Sequence, residues 1–439
     1  MISFRLMRPT EITRRRVRTT PLGALGAVLL ACLPLALPTP AGAAPAAPAL
    51  TVEEQRLTGA VPQEILRRSG FDDVAPGFAR ALARTSGLAQ AERLATADGR
   101  RLWRRAVDRA QGRGPDGGDL SRDDDRPLYW ARLGMTRALR EWRPAFALDE
   151  RGRAALLAAV ERTSRGQDSI ELPAGTKVKR VLITGFDPFQ LDSDARRSNP
   201  SGAAALALDG TVIDTPAGPA RVEAAVFPVR WADFADGTVE RTLLPHFRPG
   251  QRQVDLFTTI SQGRPGRFDV ERTNGAWRGG YPDNANVSRT ETVPVPPGVP
   301  TVTPQPQWTT TSLPYAAITA ARTGPFPVYD NTAVTEIPAG GTEEVDRADG
   351  PTPGSTARAG GGGDYLSNEI AYRATLLRDA VRLSVPGGHL HTPVLRFGDD
   401  NADPATGRVT DPEFVRNRLA ITAQIRSVLA VAVGGTDQP

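Results

Sequence analysis

Apolar residues recur at helical spacing along the first third of the chain and in short continuous runs along the rest, with the change of texture falling near Arg165. Before it, the sequence is rich in Ala, Arg and Leu. Leu128, Ala131, Met135, Leu139 and Trp142 fall on one stripe, which predicts a helix over 128–142. A second helix is predicted over 154–160, and a Gly- and Asp-rich loop over 111–125. After Ser164-Arg165-Gly166, residues 178–184 end in an apolar run stopped by Gly185, as in a strand buried on both faces. Further strands are predicted over 222–229 and 254–260, with helices over 202–208, 233–244 and 313–321 between or after them. This alternation predicts an α/β fold with a mainly parallel twisted sheet covered by helices on both faces, preceded by an all-helical N-terminal domain. The chain closes on a helix with Asp411 as N-cap, Pro412 at its first position, and Phe414, Ile421, Ile425 and Val428 on one face.

Two stretches interrupt the pattern. Residues 289–308, full of Pro, Val and Thr, read as an extended loop, and 326–363 read as an insertion on the surface. The insertion ends in Gly360-Gly361-Gly362-Gly363. No Lys-Ser or Lys-Thr comes after it, so a flexible linker is expected there rather than a phosphate loop.

The charge distribution changes the picture of where the protein works. Arg5, Arg8, Arg14, Arg15, Arg16 and Arg18 stand against Glu11 alone, before an apolar run over 21–37 and the small-x-small Ala41-Gly42-Ala43. Residues 1–43 therefore read as an export signal, and the product as secreted or extracytoplasmic. The route is open between ordinary secretion and the twin-arginine path, which Arg14-Arg15-Arg16 resembles. A lipid anchor on Cys32 fits less well, because the apolar run continues past it. A retained membrane helix fits less well because the run is short and holds Pro34 and Pro38. The segment accounts for the whole formal charge of +5, so the remaining chain sums to zero and gives no ground for nucleic acid or an anionic membrane as partner. It also holds the only cysteine, which leaves the remainder without a thiol nucleophile or a disulfide. The domains are thus expected at 44–165, helical, and 166–439, α/β. The arginines of 44–165 read as a solvated face, with a lid or chaperoning role as the other reading.

Few residues can do chemistry. The histidines are His246, expected to be structural, and His389 and His391, whose spacing on a strand points both to one face. The pair could hold zinc, but no carboxylate stands at a recognisable spacing. One of the two acting as a general base needs less. Ser367, after the glycine run and at the start of an apolar helix, is the candidate nucleophile, because helix-terminal N–H groups favour developing negative charge. An ordinary capping serine is the competing reading.

Thr184-Gly185-Phe186-Asp187-Pro188-Phe189 with Ser198-Asn199-Pro200-Ser201 resembles the opening signature of the pyroglutamyl peptidase I (pyrrolidone carboxyl peptidase) family. In the same order come Ser261-Gln262-Gly263-Arg264, Val270-Glu271-Arg272, Tyr281-Pro282-Asp283-Asn284, Thr311-Ser312-Leu313-Pro314, Tyr365-Leu366-Ser367-Asn368 and His391-Thr392-Pro393. The resemblance spans about 179–431 and puts Ser367 where the family has its cysteine. It implies an acyl-transfer triad of Ser367, His391 and Glu271, with Phe186 and Phe189 flanking a flat lactam ring and Gln262 and Asn199 orienting it. The implied substrate is a peptide or small amide with an N-terminal pyroglutamyl or related blocked group, and no cofactor or metal is implied. Gly280 stands where the family has an oxyanion-assisting arginine, and Arg278 is the residue that could reach the same point. A homo-oligomer is allowed by the resemblance. The competing functions are an inactive binder of pyroglutamyl-like groups and a zinc-dependent hydrolase using His389 and His391.

Overall fold

The computed structural model describes residues 49–175 and 177–435. The export signal expected over 1–43, Cys32 included, lies outside them. Six helices come first: α1 (Val52–Gln55), α2 (Ala60–Ser69), α3 (Val74–Leu82), α4 (Leu88–Ala110), α5 (Arg126–Glu141) and α6 (Glu150–Thr163). The stripe predicted over 128–142 is α5, where Leu128, Ala131, Met135 and Leu139 are buried. Among the described residues no helix is long and apolar enough to cross a membrane.

Seven strands make the central sheet: β1 (Lys179–Phe186), β2 (Thr211–Thr215), β3 (Gly218–Phe227), β4 (Leu256–Gln262), β5 (Phe268–Glu271), β10 (Val328–Asn331) and β14 (Gly387–Thr392), in the order β10-β5-β14-β4-β1-β3-β2. The β3/β1, β1/β4, β4/β14 and β5/β10 pairs are parallel, whereas β5 runs antiparallel to β14 and β2 to β3. The remaining helices are α7 (Pro200–Leu208), α8 (Trp231–Ala235), α9 (Thr238–Phe247), α10 (Tyr315–Ala320), α11 (Leu366–Ala380) and α12 (Pro412–Gly434). The single helix expected over 233–244 is broken into α8 and α9 at Gly237, whose φ of +79° suits glycine. The closing helix starts as expected: Asp411 accepts from Phe414 N at 2.8 Å.

The stretch 289–308 is irregular, with a turn at 297–298, apart from its ends, where β8 (Thr290–Thr292) pairs with β7 (Trp277–Gly279) and β9 (Trp308–Thr310) with β6 (Thr273–Gly275). The segment 326–363 is more than a surface insertion. It supplies the edge strand β10, then a small antiparallel sheet of β11 (Val334–Ile337), β12 (Val345–Arg347) and β13 (Thr356–Ala359).

The helical region does not stand apart from the sheet. Trp130, Leu133 and Val160 share one apolar cluster with Val181, Ile183 and Ala204, and all described residues fall in one compact unit. The solvated arginine face fails for Arg109, Arg126, Arg132 and Arg165, none more than 3% exposed. A planar guanidinium can be buried when carboxylates or carbonyls meet its fork. Arg126 binds Asp124 through Nε and Nη2 at 2.8 and 2.5 Å, and Arg418 of α12 reaches Asp123 at 2.6 Å. Arg109 donates to the carbonyls of Leu120, Ser121 and Arg122, which organises the loop before α5. Arg132 and Arg165 converge on one carboxylate, Asp187, just past the end of β1.

Candidate active site

Parallel strands end on a common edge, and ligands of open α/β sheets settle where the chain switches direction across the sheet. Here the chain runs outward from β1 to β3 and returns to β4 on the other side of β1. The ends of β1 and β4 therefore border a natural crevice. Beside them, β14 carries His391 in register with Ser261 of β4. On its other flank β5 ends in Glu271, and His391 Nδ1 lies 2.7 Å from Glu271 Oε1. The second carboxylate oxygen accepts from Asn331 Nδ2 at 2.6 Å, and that amide also donates to Gly361 O at 3.1 Å. Asn331 was not visible as a site residue in the sequence, because it lies in a segment read as a surface insertion. Its only signal is its place just after Val328-Tyr329, two strand-favouring residues.

His389 and His391 do share a face, with ring centroids 4.7 Å apart. His389 is fully buried, and both its nitrogens are occupied: Nδ1 by Thr259 Oγ1 and Nε2 by Ser261 Oγ, each at 2.8 Å. Burial first, and then the neighbouring His391, hold its pKa well below the ordinary histidine value, so it stays neutral. Among the described residues no group of three His, Cys, Asp or Glu is arranged to hold a metal ion. The two-histidine zinc site therefore has no free donor on His389 and, among the described residues, no third ligand. His246 lies in α9 and is 6% exposed.

Ser367 occupies the first turn of α11. No side chain caps this helix, so the N–H groups of its first turn have no partner from the cap. The helix start is pinned otherwise: Asn368 pairs its side-chain amide with both Gly275 N and Gly275 O, at 2.9 and 2.8 Å. Ser367 Oγ donates to Gly362 O at 3.0 Å. Gly362 in turn lies against the imidazole, since a Cβ on it would stand 3.3 Å from His391 Cε1. The serine and the histidine thus bracket one residue of the glycine run.

That run is not a flexible linker. Gly361 N donates to Thr273 O at 2.8 Å, and Gly360 and Gly363 bond each other in both directions. A Cβ on Gly360 would collide with Asn368 Oδ1, and one on Gly361 with Glu271 Oε2. The glycines are there because the chain passes too close to the site for a side chain. Gly361→Ala is therefore expected to displace the Glu271 carboxylate and lower kcat by roughly 10- to 100-fold, the range typical of a lost supporting contact, with an unchanged circular-dichroism spectrum. Activity equal to wild type would contradict this packing.

Phe186, Phe189, Asn199, Gln262 and Ser367 line one small pocket, with a cavity volume of about 30 Å³, together with Val229, Ser261, Tyr365 and Leu366. Phe186 stacks on Phe234 at 6.1 Å, and Tyr365 packs edge-on against Trp231 and Tyr281, so the apolar wall is stiff. Asn199 is less available than expected. Its Oδ1 accepts from Ser201 N and Oγ, and its Nδ2 donates to Asp187 O at 3.1 Å, leaving one N–H at most for a ligand. Gln262 has only a 3.5 Å contact to Leu395 N and keeps its amide donors.

Arg278 does not serve as the oxyanion donor. It is 1% exposed, with Nε and Nη2 on Glu369 at 2.7 and 2.6 Å and Nη1 on Glu291 at 2.8 Å. Three carboxylate bonds engage each nitrogen of the fork once and tie it to α11 and β8. Gly280 has φ +86°, and a Cβ there would meet Thr290 Oγ1, so the position has been given to backbone.

The N-terminal helices hold the pocket's frame. Asp125, at the start of α5, accepts from Ser198 Oγ and from Asn199 N. Glu53 of α1 accepts from Tyr129 and Arg230, and Arg56 donates to Asn284 O at 2.6 Å. Asn284 in turn donates to Pro188 O at 2.9 Å, between the two pocket phenylalanines.

Residues 36–161 match the family described as "PA0049 N-terminal domain", and residues 180–305 and 326–396 match "PA0049, C-terminal domain". The uncharacterized protein PA0049 of Pseudomonas aeruginosa is 35% identical over 495 aligned positions, covering 88% of this chain and 89% of that one. Among solved structures, a mutant pyrrolidone carboxyl peptidase from Pyrococcus furiosus aligns with 58% of this chain and 97% of its own, at 22% identity and a TM-score of 0.38. Pyroglutamyl peptidase I of Bacillus amyloliquefaciens aligns with 60% of this chain and all of its own, at 19% identity and a TM-score of 0.38.

Proposed function

We propose that this chain, which belongs to the family of the Pseudomonas aeruginosa protein PA0049, is an amide hydrolase that works by acyl transfer through Ser367. The carrying observation is the convergence of Ser367, the Glu271–His391 pair and a stiff apolar pocket at one sheet edge. In this reading Ser367 attacks the carbonyl that joins an N-terminal pyroglutamyl or related blocked group to the next residue. His391 takes the serine proton on Nε2 and returns it to the leaving amine. Glu271, fixed by Asn331, keeps the imidazole in the tautomer with its proton on Nδ1. The developing oxyanion falls to the uncapped N–H groups of the first turn of α11, where helix dipole and free donors coincide. A hydroxyl is a far weaker acid than a thiol, so the site depends on its base throughout.

Purified protein is expected to release fluorophore from pyroglutamyl-aminomethylcoumarin, unaffected by EDTA and by iodoacetamide. Loss on chelation, restored by zinc, would instead support metal chemistry. One observation favours the second reading, an inactive binder: Ser367 Oγ gives its proton to Gly362 O. Turnover needs that bond exchanged for one to His391, a side-chain rotation that catalytic groups often complete only with substrate bound. Saturable binding of pyroglutamate without turnover would favour the binder.

A further inference from the structure

The pocket contains a second hydroxyl, Ser261, and a buried chain of hydrogen bonds decides which way it faces. Ser261 Oγ meets His389 Nε2, His389 Nδ1 meets Thr259 Oγ1, and Thr259 Oγ1 also reaches Gly388 O at 3.3 Å. Two proton arrangements exist for a neutral imidazole. In the first, Thr259 donates to Gly388 O, His389 donates from Nδ1 to Thr259, and Ser261 donates to His389 Nε2. Every donor in the chain then has an acceptor. In the second, Thr259 donates to Nδ1, His389 donates from Nε2 to Ser261, and the Ser261 proton must find another acceptor although the residue is only 3% exposed. An unmet buried donor costs more than a free lone pair, so the first arrangement prevails.

With its proton committed to His389, Ser261 offers the pocket lone pairs only. We infer that Ser261 is a specificity-determining acceptor for an N–H of the bound ring, with His389 as the positioning residue that sets its polarity. The inference rests on the hydrolase reading for its substrate and names the feature that substrate must carry. The group is a ring with N–H beside its carbonyl, a lactam, and the pocket discriminates against the isosteric lactone, whose ring oxygen would oppose Ser261 lone pair to lone pair. A site that hydrogen-bonds a donor rejects the analogue lacking it, because its own polar group is left unpaired.

The test compares pyroglutamyl-aminomethylcoumarin with its counterpart in which the ring N–H is replaced by oxygen. Wild type is expected to prefer the lactam in kcat/KM by about tenfold or more, the size of one good hydrogen bond. Ser261→Ala is expected to bring that ratio close to one by slowing the lactam reaction and sparing the lactone. A merely structural role would slow both alike and leave the ratio unchanged, which would overturn the inference. If wild type turns over neither compound, the hydrolase reading fails by itself, and calorimetric binding of the two ring amides gives the same ratio. Independently of activity, ring ¹⁵N shifts of the chain's three histidines report the tautomer. His389 is expected to carry its proton on Nδ1, and a proton on Nε2 would refute the polarity argument.

Discussion

Ser367→Ala is expected to lower kcat/KM for pyroglutamyl-aminomethylcoumarin by at least about 10⁴-fold, the scale on which removing a triad nucleophile acts. Fold and substrate binding are expected to persist. The side chain makes one hydrogen bond, to Gly362 O, while the helix start is held by the Asn368–Gly275 pair and by Glu369 with Arg278. Steady-state kinetics beside a thermal melt separates the two effects. Ser367→Cys makes the complementary case. It is expected to keep turnover and to become sensitive to iodoacetamide, since the chain's only cysteine is Cys32. A Ser367→Ala protein that loses its cooperative melt together with its activity would mean that the serine is only a structural part of the helix start.

The second large effect lies in the ion-pair centre that joins the helical region to the sheet. Asp187 is 3% exposed and holds both Arg132 and Arg165. Arg165 also pairs with Glu161, which accepts from Arg230 at 2.8 Å, and Glu53 accepts from the same arginine. These cations keep the Glu161 carboxyl well below its ordinary pKa even though burial opposes it. Asp187→Ala would leave Arg132 with no carboxylate partner at zero side-chain exposure. Removing one partner of a buried pair typically costs ~3–5 kcal/mol, so thermal unfolding is expected to fall by roughly 6–20 °C at the ~2–4 °C per kcal/mol of a large domain. Asp187 also orients the pocket through its carbonyl, which accepts from Asn199. That backbone contact survives the substitution, so stability is the property expected to fall. Combining Asp187→Leu with Arg132→Met, which removes both charges, is expected to recover part of the loss. A melt of Asp187→Ala within about 1–2 °C of wild type, under the shift expected for even 1 kcal/mol, would show that the pair contributes little.

Residue spacing carried much of the architecture. The helix over α5, the strands β1, β3 and β4, and the Asp411-capped α12 follow from apolar period and capping chemistry alone. So does the shared face of His389 and His391, because alternation along a strand admits no other outcome. Contacts between residues far apart in the chain were not legible. Arg132 reads as surface until Asp187, 55 positions later, is known to meet it. Asn331 reads as part of an insertion until β10 joins the sheet edge beside Glu271. Arg278 stood close in sequence to the position an oxyanion donor would need, yet Glu369 and Glu291 offered it a stronger electrostatic home. The glycine run misled for a related reason. Composition shows that side chains are absent, and only the packing of Glu271 and Asn368 shows what excludes them.

Acyl transfer through this site requires a covalent intermediate on Ser367. Rapid acid quench of the enzyme reacting with an activated pyroglutamyl ester, with mass spectrometry of the digest, detects it. One pyroglutamyl group is predicted on the peptide containing Ser367, absent in Ser367→Ala. Turnover with no adduct on that peptide, or an adduct on another residue that survives Ser367→Ala, would contradict it.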